Sequence, residues 1–284
     1  MNDISKIYSV PKDRPIPGLL LEILAIVDEL TMAQRCPYVV VGATARDLLL
    51  HHVFGIPVSR ATRDVDLAIA VENWEQFHSL RDAFLSRGQF TPDKTGHRIY
   101  FAKAGMPVDL IPFGGLAENE IIAWPPTHDT VMSVAGFTDA LESSVHVQIA
   151  PKLAVPVVSL ASLAILKIFA WQDRNTTDKD ALDLFRILSK YADASNEDRL
   201  YDSASSHLEK FGFELDLAGS ALAGEDGRAI SGEGTLEKLR VIVNQDNFVD
   251  KLAERIRTSR WPFEPERLTY IRTVLDAYFD ELLK

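Results

Sequence analysis

The sequence predicts an α+β fold, in which a mixed α/β domain over residues 1–150 is followed by an all-α domain over residues 151–284. Three observations support this division. Short apolar segments typical of strands alternate with amphipathic helices in the first half, whereas only helical periodicities occur from Ser159 onward. Pro151 and Pro156 mark the junction, because proline interrupts regular structure. A length of 284 residues suits one large domain or two ordinary ones.

Helices and strands follow one another through the first half. Leu20, Ile23, Leu24 and Val27 have the spacing of an amphipathic helix, which we place over residues 18–34. The later predicted elements are a strand at 38–41, a turn at Gly42 into a helix to about residue 54, a strand from 64, a helix over 73–87, a hairpin of strands 98–101 and 108–111, and a strand over 145–149.

The second half contains only helical patterns. The predicted helices cover residues 159–172, 177–191, 196–211, 234–244, 248–258 and 265–283. Between the third and fourth of them, the segment from Gly219 to Gly234 is rich in glycine, which predicts a mobile loop. The helical domain is expected to complete an active-site cleft with the first domain.

Composition excludes several classes of protein. The net charge of −11 argues against broad DNA or RNA binding, because that affinity comes mainly from Lys and Arg side chains that displace counterions from phosphates. One cysteine, Cys36, excludes an intramolecular disulfide and a cysteine-rich zinc site. The N-terminus lacks the pattern of a secretory signal, and the apolar stretch 155–171 is interrupted and short for a membrane span. We therefore expect a cytoplasmic protein without membrane association.

Three aspartates interrupt apolar strand segments. Asp64 and Asp66 alternate with Val65 and Leu67, so both carboxylates point to the same face of the strand, about 6.5 Å apart at roughly 3.3 Å per residue. Two like charges that close favour a bound divalent cation. Asp109 interrupts the later strand in the same way. The sequence therefore predicts a metal site formed by Asp64, Asp66 and Asp109.

A strand-to-helix turn precedes the acidic pair. It contains Gly42, Ala43 and Thr44, and the unpaired amides of a helix start bind phosphate. We expect Gly42 and Thr44 to hold phosphates. Arg46 has two interpretations, since it can reach phosphate or pair with Asp47.

Carboxylates beside a phosphate-binding turn are typical of transfer from a nucleoside triphosphate (NTP). Mg²⁺, or Mn²⁺ in its place, bridges carboxylates and phosphate oxygens in such sites. Asp109 either completes the metal site or acts as the base on the attacking hydroxyl.

Three basic residues, His97, Arg98 and Lys103, flank the predicted hairpin. Each could contact phosphates, although a position at a solvated strand edge is favoured for each.

A lysine in the second half is unusual because its helix is otherwise apolar. Lys167 either extends its ammonium group to solvent or reaches a triphosphate, and we favour the second interpretation. Asp180 is weighed equally as a residue of the active site and as part of a helix cap with Thr177. Asp183 and Arg186, three residues apart, predict a local helical ion pair.

These motifs resemble a known superfamily. The segments Gly-Ala-Thr-Ala-Arg-Asp-Leu-Leu-Leu (42–50) and Thr-Arg-Asp-Val-Asp-Leu-Ala (62–68) are similar to the polymerase-beta-type nucleotidyltransferases, and the turn is similar to that of tRNA CCA-adding enzymes. The closest resemblance is to the AbiEii-type abortive-infection nucleotidyltransferase toxins. The similar residues are Val155-Pro156, Ser159-Leu160, Leu166-Lys167-Ile168-Phe169-Ala170, Arg174 and Lys179-Asp180-Ala181-Leu182-Asp183-Leu184. Together with the motifs of the first half, the resemblance covers about residues 38–190.

The resemblance implies a nucleotidyltransferase-fold domain and Mg²⁺-dependent transfer of a nucleotidyl group (NMP) from an NTP to a hydroxyl acceptor. Relatives that modify tRNA ends and act beside an antitoxin imply tRNA as acceptor and an antitoxin as partner. It also implies catalytic roles for Lys167 and Asp180. The chain departs from the family at Ala43, where a second glycine or a serine is usual. Two alternatives stay open: a small-molecule acceptor, as in antibiotic-modifying enzymes, and a non-catalytic nucleotide-binding module.

Overall fold

The chain forms two compact units in this computed structural model, Met1–Ser159 and Leu160–Lys284. The structure describes residues 7–57, 62, 64–174 and 178–284. The first unit is built on a mixed sheet and the second contains only helices among its described residues, which confirms the predicted α+β class.

An eight-stranded sheet forms the centre of the N-terminal unit, in the order β1-β9-β10-β2-β3-β6-β5-β4. Three pairs are parallel (β1 with β9, β10 with β2, β3 with β6), and the other four are antiparallel. The strands are β1 (Ile7–Ser9), β2 (Tyr38–Val41), β3 (Val65–Val71), β4 (Phe90–Pro92), β5 (Arg98–Phe101), β6 (Met106–Gly114), β9 (Val145–Ala150) and β10 (Leu153–Val157), and a separate hairpin contains β7 (Ile121–Ala123) and β8 (Val131–Ser133).

The central strands lie in the core. Leu67 and Ile69 of β3 are fully buried, as are Val108 and Leu110 of β6, while Asp66 is half-buried. Strand β10, which the sequence placed in the helical half, pairs with β9 and β2 and so belongs to this sheet. The sheet therefore continues beyond the predicted domain boundary at residue 150.

The described residues of this unit form four α-helices and one π-helical segment: α1 (Gly18–Gln34), α2 (Gly42–Asp47), the π-helical segment (Leu48–Val53), α3 (Trp74–Ser86) and α4 (Phe137–Glu142). Helix α3 begins where the side chain of Asn73 accepts a hydrogen bond from the backbone amide of Gln76 at 3.0 Å. The helix predicted from Gly42 to about residue 54 is thus confirmed, with its last six residues in the wider π geometry.

The C-terminal unit packs helices around a second core. They are α5 (Leu160–Arg174), α6 (Asp178–Leu188), α7 (Glu197–Tyr201), α8 (Ser205–Lys210), α9 (Leu215–Ile230), α10 (Glu233–Val243), α11 (Phe248–Arg260) and α12 (Arg267–Leu282). No helix in the described part of the chain is both long and apolar enough to cross a membrane.

The predicted glycine-rich loop is wrong, because most of that segment lies inside helix α9. A Cβ atom at Gly224 would collide with the backbone carbonyl of Tyr278 on α12, and one at Gly219 would lie 2.7 Å from the backbone nitrogen of Ala192. The hydroxyl of Ser220 donates to the Val274 carbonyl at 2.7 Å. The glycines therefore allow close packing of backbones, which outweighs their low helix propensity.

Candidate active site

The sheet places two of the predicted acids side by side. In the parallel pairing of β3 and β6, Asp66 lies directly opposite Asp109. In the antiparallel pairing of β5 and β6, Arg98 lies directly opposite Asp109. Paired residues point to the same face of a sheet. Arg98, Asp109 and Asp66 therefore form a row across three neighbouring strands.

Asp64 lies immediately before β3, and Thr44 fixes its backbone. The Thr44 hydroxyl donates to the Asp64 carbonyl at 2.7 Å, and Thr44 is only 2% exposed. A hydroxyl has one proton, so this contact uses the hydrogen that the Thr44 side chain would otherwise have for a phosphate. Thr44 instead connects the start of α2 to the residue that precedes the acidic strand.

Gly42 allows the turn to pack against an acid. Its φ of +65° lies in the left-handed region, and a Cβ atom there would collide with the carboxylate of Asp66. Ala43 follows in a half-buried position at the start of α2. The backbone of the turn and the Asp66 carboxylate are therefore in contact, which no other residue type at position 42 would permit.

Arg46 pairs with its neighbour. Its Nε and Nη2 atoms donate to Oδ1 of Asp47 at 2.8 and 2.6 Å, and Arg46 is 6% exposed. The other carboxylate oxygen of Asp47 accepts from the backbone amide of Thr62 at 3.3 Å. Of the two interpretations of Arg46, the structure shows the pair with Asp47.

Arg98 makes a two-point ion pair that the sequence analysis missed. Its Nε donates to Oδ1 of Asp109 and its Nη2 to Oδ2, both at 2.6 Å. The Asp109 side chain is 12% exposed and that of Arg98 34%. This hydrogen bonding to Asp109 raises the pKa of Arg98 above its ordinary value, against the opposing effect of burial. The guanidinium is therefore a fixed positive charge beside the predicted metal ligands.

The remaining acids suit a divalent cation. Within residues 7–57, 62, 64–174 and 178–284, no group of three or more His, Cys, Asp or Glu side chains is arranged to hold a metal. Mg²⁺ is commonly bound by one or two carboxylates together with substrate phosphates and water. Asp64 and Asp66 supply that number of hard oxygen ligands, so the residues present fit an ion shared with an NTP.

A cavity of about 390 Å³ adjoins this region. Asp64 and Thr44 line it beside apolar side chains that include Leu48, Val65 and Met106. Small-molecule sites typically combine apolar walls with a few polar groups in about 300–1,000 Å³. The cavity has the size and chemistry of a site for part of a nucleotide.

In the C-terminal unit, Lys167 is buried in a carboxylate cluster. Its ammonium lies 3.0 Å from Oδ1 of Asp180 and 2.8 Å from Oδ2 of Asp183, and the residue is 8% exposed. Arg174 contacts the other oxygen of Asp180 at 3.0 Å. The ammonium group therefore does not extend to solvent. Thr177, the partner in the predicted helix cap, lies outside the described residues.

Burial and charge oppose each other at Lys167. Burial alone lowers the pKa of its ammonium, but the nearby carboxylates of Asp183 and Asp180 outweigh this effect and raise the pKa above its ordinary value. The sequence analysis assigned Asp183 to Arg186 because they are three residues apart. The structure pairs Asp183 with Lys167 on the neighbouring helix, a contact that the sequence analysis did not predict.

The sequence matches one protein family over most of its length. The matching family is described as "Nucleotidyl transferase AbiEii toxin, Type IV TA system", and the match covers residues 30–281. This chain belongs to the AbiEii family. It is therefore a nucleotidyltransferase, an enzyme that transfers an NMP from an NTP. The resemblance to the AbiEii-type nucleotidyltransferases that the sequence analysis stated is confirmed.

Three solved structures have limited similarity to this AbiEii protein. An antigenic nucleotidyltransferase-like protein from Paracoccidioides brasiliensis is 17% identical, with 71% of this chain and 93% of that one covered and a TM-score of 0.39. The antibiotic-resistance factor ANT(2'')-Ia is 11% identical, with coverages of 69% and 98% and a TM-score of 0.40. A Thermotoga maritima CCA-adding enzyme complexed with tRNA is 14% identical, with coverages of 94% and 80% and a TM-score of 0.26.

These TM-scores are low, so the assignment to the AbiEii family rests on the sequence match. No curated protein matches the chain significantly.

Proposed function

We propose that this AbiEii enzyme uses Mg²⁺ to transfer an NMP from an NTP to a terminal hydroxyl of tRNA, and that it is the toxin of a toxin–antitoxin pair. The family description, which names a type IV toxin–antitoxin system, supports the toxin role. The choice of tRNA rests on the resemblance of the turn at Gly42 to that of CCA-adding enzymes.

One observation carries the catalytic part of the proposal. The turn at Gly42 packs directly against the carboxylate of Asp66, and Asp66 lies opposite Asp109 on the next strand. The backbone that we propose to bind phosphate and the oxygens that we propose to bind metal therefore lie close together. Transfer from an NTP requires these two functions at adjacent positions, because the phosphates and the metal must meet.

Each residue of the proposed site has a defined task. Asp64 and Asp66 hold Mg²⁺, which neutralises phosphate charge and favours the ionised form of the acceptor hydroxyl. The backbone of Gly42 and Ala43 binds phosphate, and Thr44 keeps Asp64 in place. The apolar cavity beside Asp64 takes the nucleoside part of the NTP.

Lys167 and Asp180 complete the proposed catalytic set as predictions from the family resemblance. The contacts of Lys167 with Asp180 and Asp183 support a charged ammonium group in a fixed position, because a buried lysine stays charged only beside such carboxylates. Functional sites often contain ionisable groups with perturbed pKa values, although structural ion pairs have them too.

The test is a transfer assay with each α-labelled NTP, Mg²⁺ and total tRNA. We expect label on tRNA with the wild-type protein, and at least a 100-fold lower rate with Asp66→Asn, as for loss of a major electrostatic contact in catalysis. The matched control is Asp82→Asn, which changes an exposed aspartate of helix α3 in the same unit. Equal labelling by wild type and Asp66→Asn would contradict the assigned role of the acids.

The net charge of −11 favours a second candidate acceptor, a small uncharged or cationic molecule, over a polyanion. The same assay with aminoglycosides in place of tRNA separates the two acceptors. Label on the small molecule and none on tRNA would replace the first candidate by the second.

The toxin role needs a separate test in cells. Expression of the wild-type chain should arrest bacterial growth, and Asp66→Asn should relieve the arrest at an equal protein level. Co-expression of the gene adjacent to the native locus should also restore growth if it encodes the antitoxin. Growth unaffected by the active enzyme would contradict the toxin role while leaving the transferase activity standing.

A further inference from the structure

Helix α2 and the π-helical segment that continues it form one wall of the cavity beside Asp64. Thr44, Leu48 and His51 all line this cavity, so they share the side of the helix that is turned towards it. The wall therefore changes along its length from the helix start, through an apolar side chain, to an imidazole ring.

Two buried polar atoms at the cavity have no hydrogen-bond partner in the part of the chain that the structure describes. They are Nδ1 of His51 and Oγ1 of Thr62. An imidazole Nδ1 donates or accepts one hydrogen bond according to the tautomer, and a hydroxyl can do both. Because buried polar atoms nearly always have a partner, two such atoms at one cavity indicate a ligand that binds there.

The neighbouring histidine lacks this spare bonding capacity. Nδ1 of His52 lies 2.9 Å from the carbonyl oxygen of Arg14 and donates its proton to it. The ring of His52 packs against that of His51, with centroids 4.8 Å apart and an angle of 69° between the planes. His52 is therefore used within the fold, whereas His51 keeps a ring nitrogen for a ligand.

The position of His51 suits the base of a nucleotide. Phosphates are proposed to bind at Gly42, and His51 lies roughly 13 Å further along the helix at about 1.5 Å per residue. That distance is similar to the length of a nucleotide from its outer phosphates to its base. Leu48, together with Leu20 of α1, supplies apolar surface for the faces of the base. The polar edge of the base then meets the imidazole.

We propose that Nδ1 of His51 hydrogen-bonds the edge of the base, and that His51 thereby selects which NTP this enzyme uses. This inference rests on the proposed function, because it concerns the same NTP. The Thr62 hydroxyl assists at the same end of the nucleotide. A base with the wrong edge is rejected because it would leave buried polar atoms unpaired.

The experiment measures dissociation constants by isothermal titration calorimetry for the α,β-methylene analogues of all four NTPs, with Mg²⁺ and the full-length protein. We expect the wild type to prefer one base over the weakest competitor by about 10-fold, the factor that one hydrogen bond supplies. His51→Leu should lose this preference. Inorganic triphosphate has no base, so both proteins should bind it equally.

Two further variants locate the ring atom that reads the base. Asparagine carries its amide group at about the position of Nδ1, whereas glutamine carries it at about the position of Nε2. His51→Asn should therefore keep the wild-type preference, and His51→Gln should lose it. The matched control is His78→Leu, because His78 is exposed on α3 in the same unit. Its dissociation constants should equal those of the wild type.

Equal binding of the four analogues by the wild type would overturn the inference, as would an unchanged preference in a folded His51→Leu. The second outcome includes equal weakening of all four, which would place Nδ1 at the ribose or the phosphates. If His51→Leu does not fold, an equal preference in His51→Asn and His51→Gln overturns the inference. A wild type that binds neither the analogues nor triphosphate would contradict the proposed function itself.

Discussion

Replacement of Lys167 by methionine tests the energetics of the buried cluster in the C-terminal unit. Methionine has a similar length but lacks the charge and the N–H donors, so Asp180 and Asp183 lose their shared ammonium partner. Arg174 still contacts one oxygen of Asp180, but its side chain is 62% exposed and it cannot replace the buried contact.

The expected cost is large because the carboxylates lie in the core. Their side chains are 5% and 9% exposed, and removal of one partner from a buried ion pair costs about 3–5 kcal/mol. The control is Lys190→Met, which breaks a 2.7 Å pair with Asp193 whose side chains are 38% and 49% exposed. An exposed pair of that kind contributes about 0–1 kcal/mol.

The assay is urea unfolding followed by circular dichroism, with the free energies of unfolding compared at equal slopes. Asp183→Asn combined with Lys167→Met should cost less than the sum of the two single changes, because the double variant removes both charges. A cost for Lys167→Met within about 1 kcal/mol, equal to that of the exposed control, would refute the buried pairing.

The pH dependence gives an independent check with a defined sign. The pKa of Lys167 is raised in the folded protein, so its contribution to stability is complete below the ordinary value of 10.5 and is lost as the pH rises through the folded-state pKa. The stability difference between wild type and Lys167→Met should therefore stay constant from about pH 7 to 10 and decrease above that range. A difference that decreases below pH 9 would contradict the assignment.

Three further substitutions test other contacts. Gly42→Ala should reduce NMP transfer at least 10-fold and also lower the free energy of unfolding, because the added methyl group displaces the Asp66 carboxylate and the left-handed backbone at φ +65° disfavours a Cβ atom. Thr44→Val should cost about 1 kcal/mol in the free energy of unfolding, through loss of a buried hydrogen bond, and should also lower the transfer rate. Gly224→Ala should destabilise the protein by about 1–3 kcal/mol, because its methyl group forces α9 away from Tyr278.

Matched glycine variants control two of these measurements. Gly18→Ala and Gly234→Ala add a methyl group where no other atom lies within 4 Å, so both transfer and stability should stay near wild type. Equal transfer rates for Gly42→Ala and Gly18→Ala would contradict the close approach of the turn to Asp66. Equal stability of Gly224→Ala and Gly234→Ala would contradict the tight contact of α9 with α12.

Much of the fold followed from local patterns. The alternation of acids with apolar residues places Asp66 and Asp109 in strands, and the sequence predicted both strands. It did not predict that β3 and β6 are parallel neighbours in this register, because strand pairing depends on the whole sheet. The direct opposition of the two acids is a property of that pairing.

Local rules failed where partners come from different elements. The spacing of Asp183 and Arg186 predicts a pair on one helix, but it does not reveal that the packing of α5 on α6 brings Lys167 to Asp183. Arg98 was assigned to a solvated edge because its partner lies on the neighbouring strand. Such pairs become visible only when the packing of the elements is known.

The hairpin of β5 and β6 has a consequence for the order of folding. Arg98 and Asp109 are 11 residues apart, and the antiparallel pairing that joins them closes a short loop. Short-range hairpins form in microseconds, whereas the parallel pairing of β6 with β3 joins distant parts of the chain. We therefore expect the hairpin to form before β6 pairs with β3, so that Asp109 already has Arg98 as a partner when it comes to lie opposite Asp66.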